Sequence, residues 1–210
     1  EVQEPSLAVR KITLRSGHVA EIIREVPLVA AVRGFMNASA CESMMGLVNK
    51  DELARAQVGT GGGGTSSSDS RETLTRNLFV DWDSDVVKTR VSVRMFDLAS
   101  ELLGEKIPYE GQEPINFLHY LPGYEYKPHT DGRGEALGKR VATTLVYCEA
   151  AEKGGATVFP VEGSKKVRFV PSAGDLLFFK YAPRPADTLH AACPVIQGPK
   201  STFTQWYRMG

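Results

Sequence analysis

The chain has 210 residues, with 25 Lys plus Arg against 25 Asp plus Glu, and 42% of it is hydrophobic. That length allows one domain with a substantial core, and the balanced charge makes no field toward a phosphate backbone or anionic lipid, so no nucleic-acid partner is expected. Apolar runs such as Val141 to Cys148 and Asp175 to Tyr181 are strand-length and too short to span a bilayer, so no membrane segment is expected and the chain reads as soluble.

Taken in chain order, Ala20 to Val32 mixes β-branched and apolar residues around Pro27 and predicts a strand and a turn. Ser39 with Glu42 then offers a capping box for a helix carrying Met44, Met45, Leu47 and Val48. Gly59 to Ser70 is low-complexity and reads as a surface loop. With its continuation to residue 77 it is expected to be mobile, as either an inert insertion or a lid. From Asp85 to Leu103 the apolar spacing predicts a helix packed on one side, ended by Gly104.

After Tyr109 the texture changes to short segments rich in Val, Thr, Phe, Tyr and Leu: 115–121, 124–129, 140–147, 156–159, 166–170, 175–180, 188–192 and 202–208. Gly- and Pro-rich turns separate them. Some eight strands at this spacing point to a closed or double-sheet antiparallel architecture, a jelly roll being the usual one. The expected fold is α+β, a double-stranded β-helix (jelly-roll) core of about eight antiparallel strands with an N-terminal strand and helices packed on it. A single domain over 1–210 is expected, with 1–108 as helix-rich support and 109–210 as the jelly roll. Cys41, Cys148 and Cys193 lack metal-ligand spacing, so they indicate neither a zinc site nor a disulfide framework and permit at most one bridge within a monomer. The chain begins at Glu1 rather than Met without a signal peptide, which reads as processed or truncated.

His129-Thr-Asp131 puts an imidazole and a carboxylate two residues apart, so in an extended segment both leave the same face. His190 lies in another strand-like segment and is the natural third ligand. Two His and one carboxylate on one face of an octahedron leave positions open, which is the requirement of non-haem Fe(II) oxygenase chemistry. Alone, His-x-Asp is commonly a surface or hydrogen-bonded pair. Lys200, ten residues after His190, adds a point charge able to hold the distal carboxylate of 2-oxoglutarate.

These residues stand within blocks that resemble the prolyl 4-hydroxylase branch of the 2-oxoglutarate dioxygenases. The blocks are Tyr120 with Tyr126-Lys-Pro-His-Thr-Asp131, Arg140-Val-Ala-Thr143, Gly154-Gly-Ala-Thr-Val-Phe-Pro160, Pro171-Ser-Ala-Gly-Asp175 with Leu-Leu-Phe-Phe179, His190-Ala-Ala-Cys-Pro-Val195, and Lys200 with Trp206. The resemblance implies Fe(II) on His129, Asp131 and His190, and 2-oxoglutarate on Lys200, completed by Tyr120 and Thr157. It implies a peptide groove lined by Tyr126, Arg140 and Trp206. It further implies O2 as oxidant, ascorbate as reductant, a proline-containing peptide or protein as substrate, and 4-hydroxyproline and succinate as products. It favours the endoplasmic reticulum lumen or secretory pathway, with the cytoplasm as alternative.

Two features depart from the family pattern. Arg71 is followed by Glu72-Thr73 where an Arg-Thr-Ser or Arg-Val-Ser segment is usual, and Arg208 stands where a His is common. The collagen enzymes also carry a separate peptide-binding domain, for which this chain has no room. The rival readings are a dioxygenase of the same fold acting on another residue or a free amino acid, a metal-binding cupin without 2-oxoglutarate, and a catalytically silent jelly-roll binding module. A binding module has no need of open iron positions beside a carboxylate anchor.

Overall fold

The computed structural model describes residues 10–56, 58–59, 65–66, 72–131, 140–160 and 166–209. These residues are mostly β-strand, with two α-helices packed on one side of a large sheet. The N-terminal strands β1 (Arg10–Thr13), β2 (Val19–Arg24) and β3 (Val29–Val32) form an antiparallel meander. The single strand expected across 20–32 is therefore two, because residues 25–28 turn the chain and Pro27 has no N–H for a ladder.

Helix α1 (Ala38–Met45) is capped by Asn37, whose extended backbone lets Oδ1 accept the Ala40 N–H at 2.8 Å. Ser39, expected as the cap, lies inside the helix instead. Helix α2 (Val87–Leu103) starts two residues later than expected because Val86 is extended. It ends as expected at Gly104, whose φ of +73° suits a left-handed cap that only glycine adopts cheaply.

Between the helices lie the short strands β4 (Ala54–Arg55), β5 (Val58–Gly59), β6 (Thr65–Ser66) and β7 (Leu74–Leu78). The expected mobile segment 59–77 falls largely outside the described residues. Its last part is not a loop: β7 pairs on both sides, because its backbone finds partners in β4 and β8 (Ile115–Tyr120). Before residue 109 the two helices are accompanied by β1–β3, β4 and β7, which supply strands to the large sheet.

The remaining strands are β9 (Tyr126–His129), β10 (Arg140–Glu149), β11 (Lys153–Gly154), β12 (Thr157–Phe159), β13 (Val167–Phe169), β14 (Leu176–Lys180), β15 (His190–Ala192), β16 (Val195–Gln197) and β17 (Lys200–Arg208). The nine-stranded sheet runs β1-β2-β3-β14-β10-β17-β8-β7-β4, and a four-stranded sheet runs β13-β12-β15-β9. All the pairings are antiparallel.

Alternate residues of the central strands serve different layers, as a two-residue period requires. Leu176, Phe178, Phe203 and Tyr207 pack toward α1 and α2 with Met44, Met95 and Phe96. Leu177, Phe179 and Tyr147 pack with Phe159, Val167 and Phe169 of the four-stranded sheet. Gly174 closes the turn into β14 with φ +89°, and a Cβ there would sit 2.2 Å from the Met36 carbonyl oxygen. No other residue fits that approach.

Cys41 of α1 and Cys148 of β10 are joined by a disulfide across 107 residues of sequence, with Cα atoms 5.2 Å apart. Closing so long a loop removes much of the unfolded chain's freedom. Replacing Cys41 by Ser, or reducing the bridge, is expected to lower stability by about 2 to 4 kcal/mol, a fall of roughly 5 to 15 °C in Tm for a domain of this size. Thermal scans with and without a dithiol reductant check this; an unchanged Tm would mean that packing alone holds α1.

Candidate metal centre and the adjoining pocket

His129 ends β9 and His190 begins β15, and the two are directly opposed across that antiparallel pair. Their ring centroids are 4.2 Å apart. Asp131 follows two residues after His129, and its carboxylate turns back between the rings: Oδ1 lies 3.5 Å from His129 Nε2, and Oδ2 lies 3.7 Å from His190 Nε2. The ligand atoms of all three lie within 4.8 Å of one another, the one such cluster among the described residues.

Each imidazole is oriented through its other nitrogen. His129 Nδ1 is 2.9 Å from the Lys127 carbonyl and His190 Nδ1 is 2.9 Å from the Thr188 carbonyl. A carbonyl can only accept, so each Nδ1 carries the proton and each Nε2 lone pair faces the cluster. Asp131 Oδ2 accepts from Thr143 Oγ1 at 2.9 Å and Trp206 Nε1 at 3.0 Å.

Burial would by itself raise the Asp131 pKa, but the His190 and His129 rings and the Trp206 N–H outweigh it and hold the carboxyl well below the usual range. Burial pushes His190 down to about 4, against the pull of Asp131. A carboxylate and an uncharged imidazole are the protonation states a divalent metal requires, so these residues fit an iron ion in charge as well as donor type.

The pocket beside this cluster is lined by Tyr120, Tyr126, Thr157, Lys200, Thr202 and Trp206, among others. Lys200, the first residue of β17, is 2% exposed. Its Nζ donates to the Gly155 carbonyl at 2.8 Å and stands 5.1 Å from the Tyr120 ring centroid and 5.5 Å from that of Tyr147. The left-handed Gly155 permits the approach, since a Cβ would press on the Ala151 and Lys200 side chains. Burial pulls the Lys200 pKa down to about 8. Thr157 Oγ1 is hydrogen-bonded to the Tyr147 hydroxyl at 2.8 Å.

All three predicted groove residues border the cluster. Tyr126 stacks on His129, with centroids 3.4 Å apart. Arg140 lies 4.1 Å over the Trp206 ring, donates to the Asp131 carbonyl at 3.0 Å, and grips Glu113 through Nε and a second nitrogen. Arg208 Nε also binds Glu113, at 2.8 Å.

Sequence reasoning missed Glu113, Thr143 and Tyr147. Thr143, Leu145 and Tyr147 share one face of β10, a period-2 signal present in the sequence. Glu113 carries no local signal, because its partners lie 27 and 95 residues away.

Residues 115–208 match the 2OG-Fe(II) oxygenase superfamily. The chain is 30% identical over 204 residues to a protein of Arabidopsis thaliana described as probable prolyl 4-hydroxylase 7, an alignment covering 86% of this chain and 62% of that one. It is 28% identical to probable prolyl 4-hydroxylase 3 of the same plant, covering 93% and 74%. The chain thus spans less than two thirds of the first relative. Among solved structures it is similar to the viral collagen prolyl hydroxylase of Paramecium Bursaria Chlorella virus-1 in its 2OG complex, with a TM-score of 0.65, 27% identity, and 87% and 96% of the two chains covered. The fold is also shared with a Trichoplax adhaerens prolyl hydroxylase in complex with a hypoxia inducible factor peptide fragment, with a TM-score of 0.68, 20% identity, and 86% and 83% covered.

The low Lys200 pKa has a consequence for stability. The folded value lies below the unfolded one, so the unfolded chain binds the extra proton between about pH 8 and 10.5 and stability rises with pH across that window. Below it the fold bears the full cost of the buried charge, about 3 kcal/mol. Lys200→Met is therefore expected to be more stable than the ligand-free wild type at pH 7, with the gap closing by pH 10. Paired thermal scans at the two pH values check it; a constant gap would contradict it.

Proposed function

We propose that the chain is a member of the prolyl 4-hydroxylase family of 2-oxoglutarate- and Fe(II)-dependent oxygenases and that it hydroxylates peptidyl proline to 4-hydroxyproline. The reaction is coupled to oxidative decarboxylation of 2-oxoglutarate to succinate and CO2 with O2. One observation supports this above the rest: three metal-ligand atoms within 4.8 Å of one another open onto the same pocket as a buried ammonium. A binding module has no use for that pairing.

We read the two sheets as the jelly roll of this family, with His129, Asp131 and His190 as the iron ligands. Bound there, Fe(II) supplies the activation of O2 and its coupling to co-substrate decarboxylation. Thr143 and Trp206 hold the Asp131 carboxylate in place, and the two backbone carbonyls fix the imidazoles. Lys200 receives the distal carboxylate of 2-oxoglutarate, and the hydroxyls of Tyr120 and Thr157 complete that end. A dicarboxylate there would pair with the buried Lys200 charge, and the Tyr120 and Tyr147 rings beside it exclude water from the contact.

Tyr126, Arg140 and Trp206 form the wall that meets the peptide. Glu113 locks Arg140 and Arg208 together, making a fixed basic edge suited to peptide carbonyls. Ascorbate would serve as the reductant, as in the family. The Cys41–Cys148 bridge favours an oxidising compartment.

The test is a screen of proline-containing peptides with Fe(II), 2-oxoglutarate and ascorbate, scoring succinate release against a mass gain of one oxygen on proline. Coupled signals are expected, and His129→Ala or His190→Ala should abolish them. Lys200→Ala should raise the 2-oxoglutarate KM by about ten- to a hundredfold, the worth of a charge-assisted hydrogen bond, with little change in iron affinity. Oxygen found on another residue would move the chain to a neighbouring substrate class. No succinate release with any peptide would refute the assignment.

A further inference from the structure

On the opposite face of the large sheet from Lys200, three polar residues stand side by side across three adjacent strands. Ser201 of β17 is directly opposed to His119 of β8 on one side and to Glu149 of β10 on the other. His119 Nδ1 is 2.8 Å from Ser201 Oγ, and Ser201 Oγ donates to Glu149 Oε2. A serine hydroxyl has one proton, so once it serves Glu149, His119 Nδ1 must be the donor to Ser201. Lys50, just beyond α1, reaches Glu149 Oε1 at 3.4 Å, and Thr73 Oγ1 donates to the His119 carbonyl at 3.0 Å.

The position of this row is informative. The neighbouring register pair is Tyr120 with Lys200, and the row on its other side is Leu118, Thr202 and Tyr147; Tyr120, Lys200, Leu118 and Thr202 line the pocket and the Tyr147 ring centroid lies 5.5 Å from Lys200 Nζ. Tyr120 is the last residue of β8, Lys200 the first of β17 and Glu149 the last of β10. The ammonium anchor is thus held on terminal strand residues, which fray most readily. The register irregularity between Tyr147 and Glu149 turns Glu149 to the face of Ser201, as their bond requires. Ser201 is fully buried, so a polar row there carries a desolvation cost that a valine or leucine would avoid.

We propose that His119, Ser201 and Glu149 form a positioning row that locks the ends of three strands and so sets the geometry with which Lys200 and Tyr120 grip the distal carboxylate of a 2-oxo dicarboxylate. The proposal rests on the co-substrate pocket assigned above. The row touches neither co-substrate nor metal and acts through the two residues next to it in sequence. Its loss therefore changes co-substrate affinity and leaves the reacting centre as it was.

The test compares Glu149→Ala, Glu149→Gln, Ser201→Ala and Lys200→Ala. Glu149 has a side chain 30% exposed, so its substitutions are compatible with folding. Binding of 2-oxoglutarate is measured by calorimetry on the anaerobic Fe(II)-loaded enzyme, alongside KM and kcat. Glu149→Ala and Ser201→Ala are expected to weaken 2-oxoglutarate binding about tenfold, the loss of one buried hydrogen bond, while kcat at saturating 2-oxoglutarate and the peptide KM stay within about twofold. Glu149→Gln, which still accepts the Ser201 proton, should bind like wild type. Unchanged 2-oxoglutarate affinity with a lowered Tm would make the row a stabiliser only and overturn the proposal, as would equal losses in kcat and both substrates. If Lys200→Ala itself binds 2-oxoglutarate like wild type, the pocket assignment fails first and the row loses its role with it.

Discussion

A strand covered on both faces must satisfy two layers at once, and β17 does so across nearly its whole length. Its odd-numbered residues Ser201, Phe203, Gln205 and Tyr207 lie on the helix side, while Lys200, Thr202, Thr204 and Trp206 face the pocket. Because the side-chain period is two, a slip of one residue would drive Lys200 into the helix layer and two aromatic side chains into the pocket. Its ladders with β8 and β10 forbid that slip. The position of the ammonium is therefore a consequence of core packing on the other face, where Phe203 and Tyr207 find their places against Phe96, Phe117 and Met95.

Charge is handled differently at the two ends of the pocket. At the metal cluster the Asp131 carboxylate accepts two hydrogen bonds from neutral donors and lies beside two imidazole rings, so its ionised form is retained despite burial. At the other end Lys200 has one carbonyl and two aromatic faces, too little to offset its desolvation fully. One charge is thus satisfied before any ligand arrives and the other only in part. A carboxylate arriving at Lys200 would complete the second.

The motif chemistry could be read from the sequence because it is local. His129 and Asp131 share a face through a two-residue spacing, and Lys200 keeps a short distance from His190 along the chain. The opposition of His190 to His129 depends on the β15–β9 register, which no local pattern carries. The same holds for Glu113 between Arg140 and Arg208, and for the Cys41–Cys148 bridge, since three cysteines allow three pairings and only the packing of α1 on β10 selects one. The early strands were misjudged for a related reason: β1 to β3 look like support for a later core until β3 pairs with β14 and extends the large sheet. At α1 the error was purely local, two competing caps within three residues, settled by which backbone was extended.

The candidate metal ligands His129 and His190 and the Lys200 ammonium are carried by different sheets, so the distance between the two ends of the pocket is not set by any backbone ladder. It is set where the sheets meet. The aromatic layer of Tyr147, Phe159, Phe169 and Phe179 fills that space, and Phe179 also lies against the His190 ring, with centroids 4.6 Å apart. Polar struts across the gap include the two bonds to Asp131, from Thr143 of β10 and Trp206 of β17, and the bond between the Tyr147 and Thr157 hydroxyls. These residues thus serve the metal ligand and the separation of the two sheets together. Arg140 reinforces the same point by holding the Asp131 carbonyl and lying on the Trp206 ring. Arg140, Trp206 and Asp131 therefore form one short network, so any group pressing on the Arg140 and Trp206 surface would bear on the groups that orient the Asp131 carboxylate.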